Sequence, residues 1–127
     1  MKKLLALLFS ILISFNSYGE WEEFSKNVDG DTFYIDTDTI KEHKEYVYYW
    51  VLGDYLKPSE SGTISHKIYY QGDCGVNRLK YLSAIFYKQP MGGGSGRPNL
   101  LVGAVREWKT PDRMGQEMLN YVCDYVE

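Results

Sequence analysis

Apolar and polar residues alternate through most of the chain, in short runs separated by turn residues. The longest run is YVYYWVLGDYL at residues 46–56. Side chains point to opposite faces at successive strand positions, so Tyr48 and Trp50 share one face while Tyr49 and Val51 share the other. Aromatic and β-branched residues favour strands. The pattern therefore predicts a central strand with aromatic side chains on both of its faces.

Five further segments have the same strand-like character. They are residues 20–27, 32–36, 63–71, 78–89 and 100–108. The Asp29-Gly30 pair predicts a tight hairpin between the first two, and the polar segment 37–45 predicts a turn with room for one helical turn. Regular alternation in segment 78–89 places Ala84 on one face and Tyr81 on the other.

The hydrophobic period changes near the end of the chain. Pro111 suits a first helical position, and Thr110 before it could cap the helix. The apolar arc of this predicted helix of about 14 residues contains Met114, Met118, Tyr121, Val122 and Tyr125. Strands followed by one terminal helix indicate an α+β domain. We expect an antiparallel sheet of about six strands with the helix packed on one face.

Residues 1–19 have the composition of a secretory signal peptide. Lys2 and Lys3 precede an apolar run shorter than the roughly 20 residues that span a bilayer. Ser17 and Gly19 then supply the small residues of a cleavage site. The alternative is an uncleaved amino-terminal anchor. Cleavage would leave no membrane span and would export the protein to the periplasm or the cell surface.

The remaining residues, 20–127, are enough for a single domain with one core. Loss of the two lysines in the leader changes the formal charge from −3 to −5. A nucleic-acid-binding domain usually has a basic patch, and the sequence of this domain contains none. Nucleic acid is therefore not an expected partner.

Cys74 and Cys123 are the two cysteines of the chain. An even number of cysteines in an exported protein favours a disulfide. The alternatives are a reactive or metal-binding pair, but the spacing is not that of a CxxC motif. We predict a disulfide that ties the flank of the helix to the turn before segment 78–89.

The stretch PMGGGSGRPN at residues 90–99 is the most unusual segment in composition. A phosphate-binding loop requires GxxxxGK[ST] ahead of a helix, whereas Arg97 and Pro98 follow the glycines here. The other interpretation is a mobile hairpin loop, since glycine is the most flexible residue. Arg97 is its one charged side chain and could contact a partner.

Two acidic patterns in the sequence are candidate sites. Asn27, Asp29 and Asp31 alternate as in a calcium loop, but the glycine is misplaced and no glutamate closes the run. Asp36 and Asp38 could form a catalytic pair, although aspartates at a strand end usually form turns. We expect neither a metal site nor a catalytic site at these residues.

The two histidines do not form a site in sequence. His43 lies among charged residues and is expected to be solvated. His66 falls on an apolar strand face and is expected to be partly buried with a hydrogen-bond partner. No GxSxG or HExxH motif is present. We therefore predict a protein that is not an enzyme and has no cofactor.

The tyrosines of segment 46–56 indicate a possible binding surface. One helix can cover only one face of the sheet, so tyrosines would remain on the other. Tyrosine also suits half-exposed strands without any partner, while Tyr and Trp are enriched where proteins meet. The candidate partner-binding residues are Tyr48, Tyr49 and Arg97.

Several short motifs, in order, resemble the surface-adhesin protein E family of Gram-negative bacteria. They are Trp21, YIDTDTI (34–40), YVYYWVLGDYLKP (46–58), GDC (72–74), IFYKQPMG (85–92) and YVC (121–123). The resemblance implies an antiparallel sheet tied to a carboxy-terminal helix by a disulfide. It also implies adhesion, since the namesake is a surface lipoprotein that binds laminin, vitronectin and plasminogen. No binding residue is transferred from that resemblance.

Together these observations predict an exported, adhesin-like, non-enzymatic domain that binds a protein. Its partner would be a host matrix or serum protein, or a protein of the bacterial envelope. The alternative is a periplasmic inhibitor or accessory domain of an envelope enzyme, which would insert the glycine loop and Arg97 into a cleft.

Overall fold

A computed structural model describes residues 21–98 and 107–127 of the chain. The described strands are β1 (Trp21–Lys26), β2 (Thr32–Asp36), β3 (Lys41–His43), β4 (Tyr46–Asp54), β5 (Ser65–Asp73), β6 (Arg78–Tyr87) and β7 (Arg97–Pro98). One α-helix, α1 (Arg113–Tyr125), follows them, and the turns Thr37–Thr39 and Pro90–Gly92 are 3₁₀-helical.

The strands form one antiparallel sheet in the order β1-β2-β4-β5-β6-β7, and β3 pairs with β4 beyond the end of β2. The predicted α+β fold is confirmed. The short strand β3 lies where a turn was predicted, because Lys41, Glu42 and His43 align with residues of β4. The predicted strand at 100–108 lies outside the described residues up to position 106, and β7 begins before it.

The β1–β2 hairpin forms where the Asp-Gly pair predicts it. The Asn27 side chain accepts hydrogen bonds from the backbone N–H groups of Asp29 and Asp31, both at 3.0 Å. Gly30 has φ +88°, a conformation that glycine adopts at little cost. One carboxylate oxygen of Asp31 accepts from Leu56 N at 3.0 Å, so this oxygen joins the hairpin to the end of β4.

Helix α1 begins two residues later than the sequence indicates. Asp112, not Thr110, is the cap, and its carboxylate accepts a hydrogen bond from Gly115 N at 2.7 Å. Pro111 thus precedes the helix. An aspartate at this position satisfies a free amide and places negative charge at the positive end of the helix dipole.

The core lies between α1 and one face of the sheet. Its buried strand residues are Ile35, Val47, Tyr49 and Val51, and its buried helix residues are Met118, Leu119 and Val122. Close contact depends on Gly72, because a Cβ atom there would lie 2.5 Å from Leu119 Cδ1. The face of β4 that contains Val47 is therefore the covered face.

A bulge in β6 changes its alternation. Tyr69 pairs with Ser83 while the next residue, Tyr70, pairs with Tyr81, so Leu82 is the additional residue. Tyr81 consequently lies on the same face as Ala84, and the prediction that they face opposite ways is wrong. A single extra residue inverts the faces of all positions beyond it.

The disulfide between Cys74 and Cys123 is present, with Cα atoms 5.9 Å apart. It joins α1 to the turn between β5 and β6, as predicted. Asp73 shapes this turn by accepting from Gly75 N at 3.1 Å and from Arg78 Nε at 3.1 Å. The crosslink thus joins the helix to a turn that is already held by side-chain hydrogen bonds.

Candidate binding surfaces

The sheet face opposite α1 presents a group of large aromatic side chains. We call it the aromatic face and define it by partly exposed rings from β4, β5 and the segment before α1. These are Tyr46, Tyr48, Trp50, Tyr69 and Trp108. Alternation along β4 places its three members on this side, opposite Val47 and Val51.

The rings of the aromatic face contact one another across the strands. Tyr69 lies between two rings of β4, with centroid distances of 6.2 Å to Tyr48 and 4.8 Å to Trp50. Tyr46 contacts Trp108 at 5.3 Å. The Tyr48 hydroxyl accepts a hydrogen bond from Gln71 Nε2 at 3.1 Å. These contacts hold the rings against one another in a largely preformed surface.

Cationic side chains border the aromatic face. The charged groups of Arg78 and Lys80 lie 4.2 and 4.4 Å from the Trp108 ring centroid. Lys67 Nζ lies 5.2 Å from the Tyr87 centroid. Cations over aromatic rings are attracted by the ring quadrupole. This border therefore combines apolar rings with positive charge, although Arg78 also pairs with Asp73.

The glycine loop covers the other end of the same sheet face. A Cβ atom at Gly92 would lie 2.6 Å from Lys67 Cε, and one at Gly96 would lie 2.3 Å from Ile85 Cγ2. Both glycines therefore permit an approach that a larger residue would block. Beneath the loop, Leu52 is 0 % exposed and Tyr87 is 8 % exposed.

The first half of the loop is fixed by hydrogen bonds. Met91 N donates to Asp54 Oδ1 at 2.8 Å, Gly92 N donates to Ser65 Oγ at 2.9 Å, and the Ser65 hydroxyl donates to Gln89 O at 2.6 Å. The expectation of a slack, mobile loop is wrong for this half. Two of the amides that a phosphate would need are already engaged with side chains.

The structure separates Arg97 from the aromatic face. Arg97 is exposed and pairs with Phe86 across the β6–β7 ladder. Phe86 in turn pairs with His66, on the side of the sheet that faces α1. Directly paired residues share a face. Arg97 and Tyr48 therefore lie on opposite faces of the sheet, and their roles in binding a partner stay predictions.

Tyr49 belongs to the core. It is 1 % exposed, and its ring stacks on that of Tyr70 at 5.3 Å. Burial raises the pKa of the Tyr49 hydroxyl. Its proposed role as a partner-contacting residue is wrong, because α1 covers the face of β4 on which alternation places it.

The two candidate aspartates form a turn. The Asp36 carboxylate accepts a hydrogen bond from Asp38 N at 3.2 Å, and the Thr39 hydroxyl donates to the carbonyl of Asp36 at 3.3 Å. Asp36 thus caps the 3₁₀ turn Thr37–Thr39. This is the structural role that the sequence favoured for this pair.

The histidines also lie where the sequence indicates. His66 is partly buried and shares a hydrogen bond with the Tyr55 hydroxyl through Nδ1. Burial lowers its pKa to about 4, although the nearby Asp31 carboxylate acts in the opposite direction. His66 is therefore neutral at physiological pH. His43 is exposed on β3.

Sequence reasoning placed Tyr48 and Trp50 on one face of β4 but did not join Tyr69 and Trp108 to them. Alternation within each strand gives the face on which Trp50 or Tyr69 lies. That the two rings meet depends on the register between β4 and β5, which pairs these two residues. Trp108 was assigned to a strand and not to this surface. A count of aromatic residues at alternate positions of β4 and β5, taken together, could have found Trp50 and Tyr69 on one surface.

No helix in residues 21–98 and 107–127 is long and apolar enough to cross a bilayer. In the same ranges, no group of three or more His, Cys, Asp or Glu side chains is arranged to hold a metal ion.

Comparison with known families identifies the chain. A model of the family described as surface-adhesin protein E matches residues 21–124. The chain belongs to this family. Members of the surface-adhesin protein E family are adhesin-like proteins of an exported or surface class. No curated protein matches the chain.

Solved structures share the fold of this family member. Crystal form II of Haemophilus influenzae protein E has a TM-score of 0.59 and 19% identity, and the match covers 82% of this chain and 87% of that one. Protein E from non-typeable Haemophilus influenzae has a TM-score of 0.56 and 16% identity, covering 84% and 80%. At this identity the similarity establishes the fold alone.

Proposed function

We propose that the protein is an exported, non-enzymatic binding domain that captures a protein partner through the aromatic face. Cleavage after Gly19 would release residues 20–127 as the mature single domain. Family membership supports the adhesin-like class. The observation on which the choice of surface depends is the set of partly exposed, mutually packed rings on the sheet face opposite α1.

Such a surface suits protein binding for two physical reasons. Tyr and Trp bury a large apolar area and also offer a polar group, which is why they dominate binding hot spots. Their side chains are already packed against one another, so little conformational entropy is lost on binding. The partner is a protein of the host matrix or serum, or a protein of the bacterial envelope.

The charges beside the rings favour a partner with acidic groups near its apolar contact. Lys80 lies over Trp108 without a carboxylate partner among the described residues. Complementary charge increases the association rate more than the final affinity. Binding through this surface should therefore become slower as ionic strength rises.

The alternative, an inhibitor or accessory domain, would use the loop edge of the molecule. Its support is Arg97, which is exposed and has no carboxylate partner among the described residues, together with Met91, which is 40% exposed. The two proposals use different surfaces. Arg97→Ala should weaken this second mode and leave capture through the aromatic face unchanged.

Substitution of Tyr48 tests the main proposal. Immobilised protein would be presented with laminin, vitronectin, plasminogen and an envelope extract, and affinity for any captured protein would be measured by calorimetry. We expect Tyr48→Ala to weaken capture by roughly 5- to 30-fold, about 1 to 2 kcal/mol.

Tyr125→Ala is the matched control, because Tyr125 is an exposed tyrosine on α1 at 51 % exposure. It should not change the affinity. Equal affinities for Tyr48→Ala and the parent protein, with the fold intact by circular dichroism, would show that the aromatic face is the wrong surface.

A further inference from the structure

A cavity of about 380 Å³ lies on the other side of the sheet, between its core face and the start of α1. The sheet supplies Tyr49, Val51, Tyr70 and Tyr81 to its wall, and the helix supplies Met114 and Met118. This volume lies within the range of small-molecule sites, which is about 300–1,000 Å³. It equals the liquid volume of about a dozen water molecules.

The walls of the cavity suit a flat apolar body. Tyr49 and Tyr70 are stacked with an interplanar angle of 18°, and the Tyr81 ring meets Tyr70 edge-on at 5.1 Å. Opposite them are the flexible thioethers of Met114 and Met118, which adapt to aromatic surfaces. An aromatic ring would thus have ring contacts on one side and sulfur contacts on the other.

The charges at the cavity favour an anion. Lys109 lines the cavity, with Nζ 4.8 Å from the Tyr81 centroid, and it has no carboxylate partner among the described residues. Asp112, the acidic residue of the wall, accepts a hydrogen bond from Gly115 N, and the helix dipole offsets its charge. Lys109 is therefore the group of the wall that can meet an anion, and the Asp112 charge also reaches Tyr70, whose pKa is raised mainly by burial and to a smaller extent by this carboxylate.

We propose that this cavity binds a small aromatic or fused-ring carboxylate, with the ring between the tyrosines and methionines and the carboxylate beside Lys109. The site does not involve the aromatic face. It therefore stands or falls separately from the proposed capture of a protein partner.

The experiment uses the disulfide-intact protein with ¹³C-labelled methionine methyl groups. Met114 and Met118 line the cavity, while Met91 lies in the glycine loop outside it. Titration with 2-naphthoate should shift the Met114 and Met118 resonances in a saturable manner and leave the Met91 resonance in place. Absence of a saturable shift at both cavity methionines would overturn the site.

Two lysine variants test the charge. Lys109→Gln removes the cation at the cavity, whereas Lys80→Gln removes a similar cation that lies over Trp108 on the aromatic face. Only Lys109→Gln should weaken naphthoate binding, by about fivefold for a partly exposed ion pair. The neutral analogue 2-naphthalenemethanol should bind both variants equally well.

Two outcomes would contradict the assignment of an anionic ligand. One is unchanged naphthoate affinity in Lys109→Gln, and the other is equal affinity of the parent protein for 2-naphthylmethylamine. The side chain of Lys109 is exposed while its backbone pairs with Leu79 at 2.8 and 3.0 Å. The substitution should thus leave the fold intact, which a thermal melt of each variant would verify.

Discussion

The two faces of strand β4 show how similar side chains acquire different roles. Tyr49 and Tyr48 are adjacent, yet one is 1 % exposed beneath α1 and the other is partly exposed on the aromatic face. A helix and a disulfide cover one face, whereas among the described residues the glycine loop covers the aromatic face at one end. Tyrosine can serve in both places because its ring is apolar and its hydroxyl is polar.

The largest expected difference between the faces comes from truncating these two tyrosines. Tyr49→Ala should reduce the free energy of unfolding by about 3 to 5 kcal/mol, because it leaves a cavity under α1. Tyr48→Ala should cost about 1 kcal/mol or less. Urea denaturation of the two variants measures both values. Similar costs would show that the two faces are equally important for stability.

Removal of the disulfide tests how far the covered face depends on its crosslink. The double variant Cys74→Ala, Cys123→Ala should lose about 4 kcal/mol of unfolding free energy, since the unfolded chain is no longer constrained. We expect the Tyr48 environment to change little in the variant that remains folded. A loss below about 1 kcal/mol would mean that packing alone holds α1 in place.

Acid should weaken the covered face through His66. Its folded pKa is about 4, whereas the unfolded imidazole has its ordinary pKa of about 6.5. The unfolded state therefore binds more protons between these values, and stability should fall by about 2 to 3 kcal/mol as pH drops through that window.

The control for this pH effect is His66→Gln, in which the loss between pH 6.5 and 4 should become smaller. The stability of this variant at pH 7 need not match that of the parent protein. The quantity compared is the slope of the unfolding free energy against pH. An identical slope in both proteins would assign the acid sensitivity to other groups.

The smallest expected effect concerns the covered end of the aromatic face. Gly96→Ala should destabilise by about 1 to 2 kcal/mol, because the added methyl group meets Ile85 and Tyr87 at less than 3 Å and must displace them. Gly75→Ala is the control, since its Cβ would make only ordinary contact at 3.6 Å. Hydrogen exchange at the amides of Met91 and Gly92, which donate to Asp54 and Ser65, would report whether the loop lifts.

Local pattern was sufficient for strands β1, β2, β4, β5 and β6, the hairpin at Gly30 and the disulfide. It could not say which face of β4 the helix covers, because Tyr48 and Tyr49 are chemically identical and the choice depends on where α1 docks. The fixed glycine loop depends on Asp54 and Ser65, which are distant in sequence. The predicted start of the helix was wrong for a local reason, because two residues that can cap a helix, Thr110 and Asp112, flank Pro111.

Leu82 is an extra residue in β6, where side chains otherwise alternate between the two faces of the sheet. Positions on one side of it present odd-numbered side chains to α1, and positions on the other side present even-numbered ones. If Leu82 were kept but paired regularly, without the bulge, β6 could keep the pairing of Tyr81 with Tyr70 or that of Ser83 with Tyr69, but not both. The number of residues in β6 therefore determines which side chains face α1 as much as the residue types do.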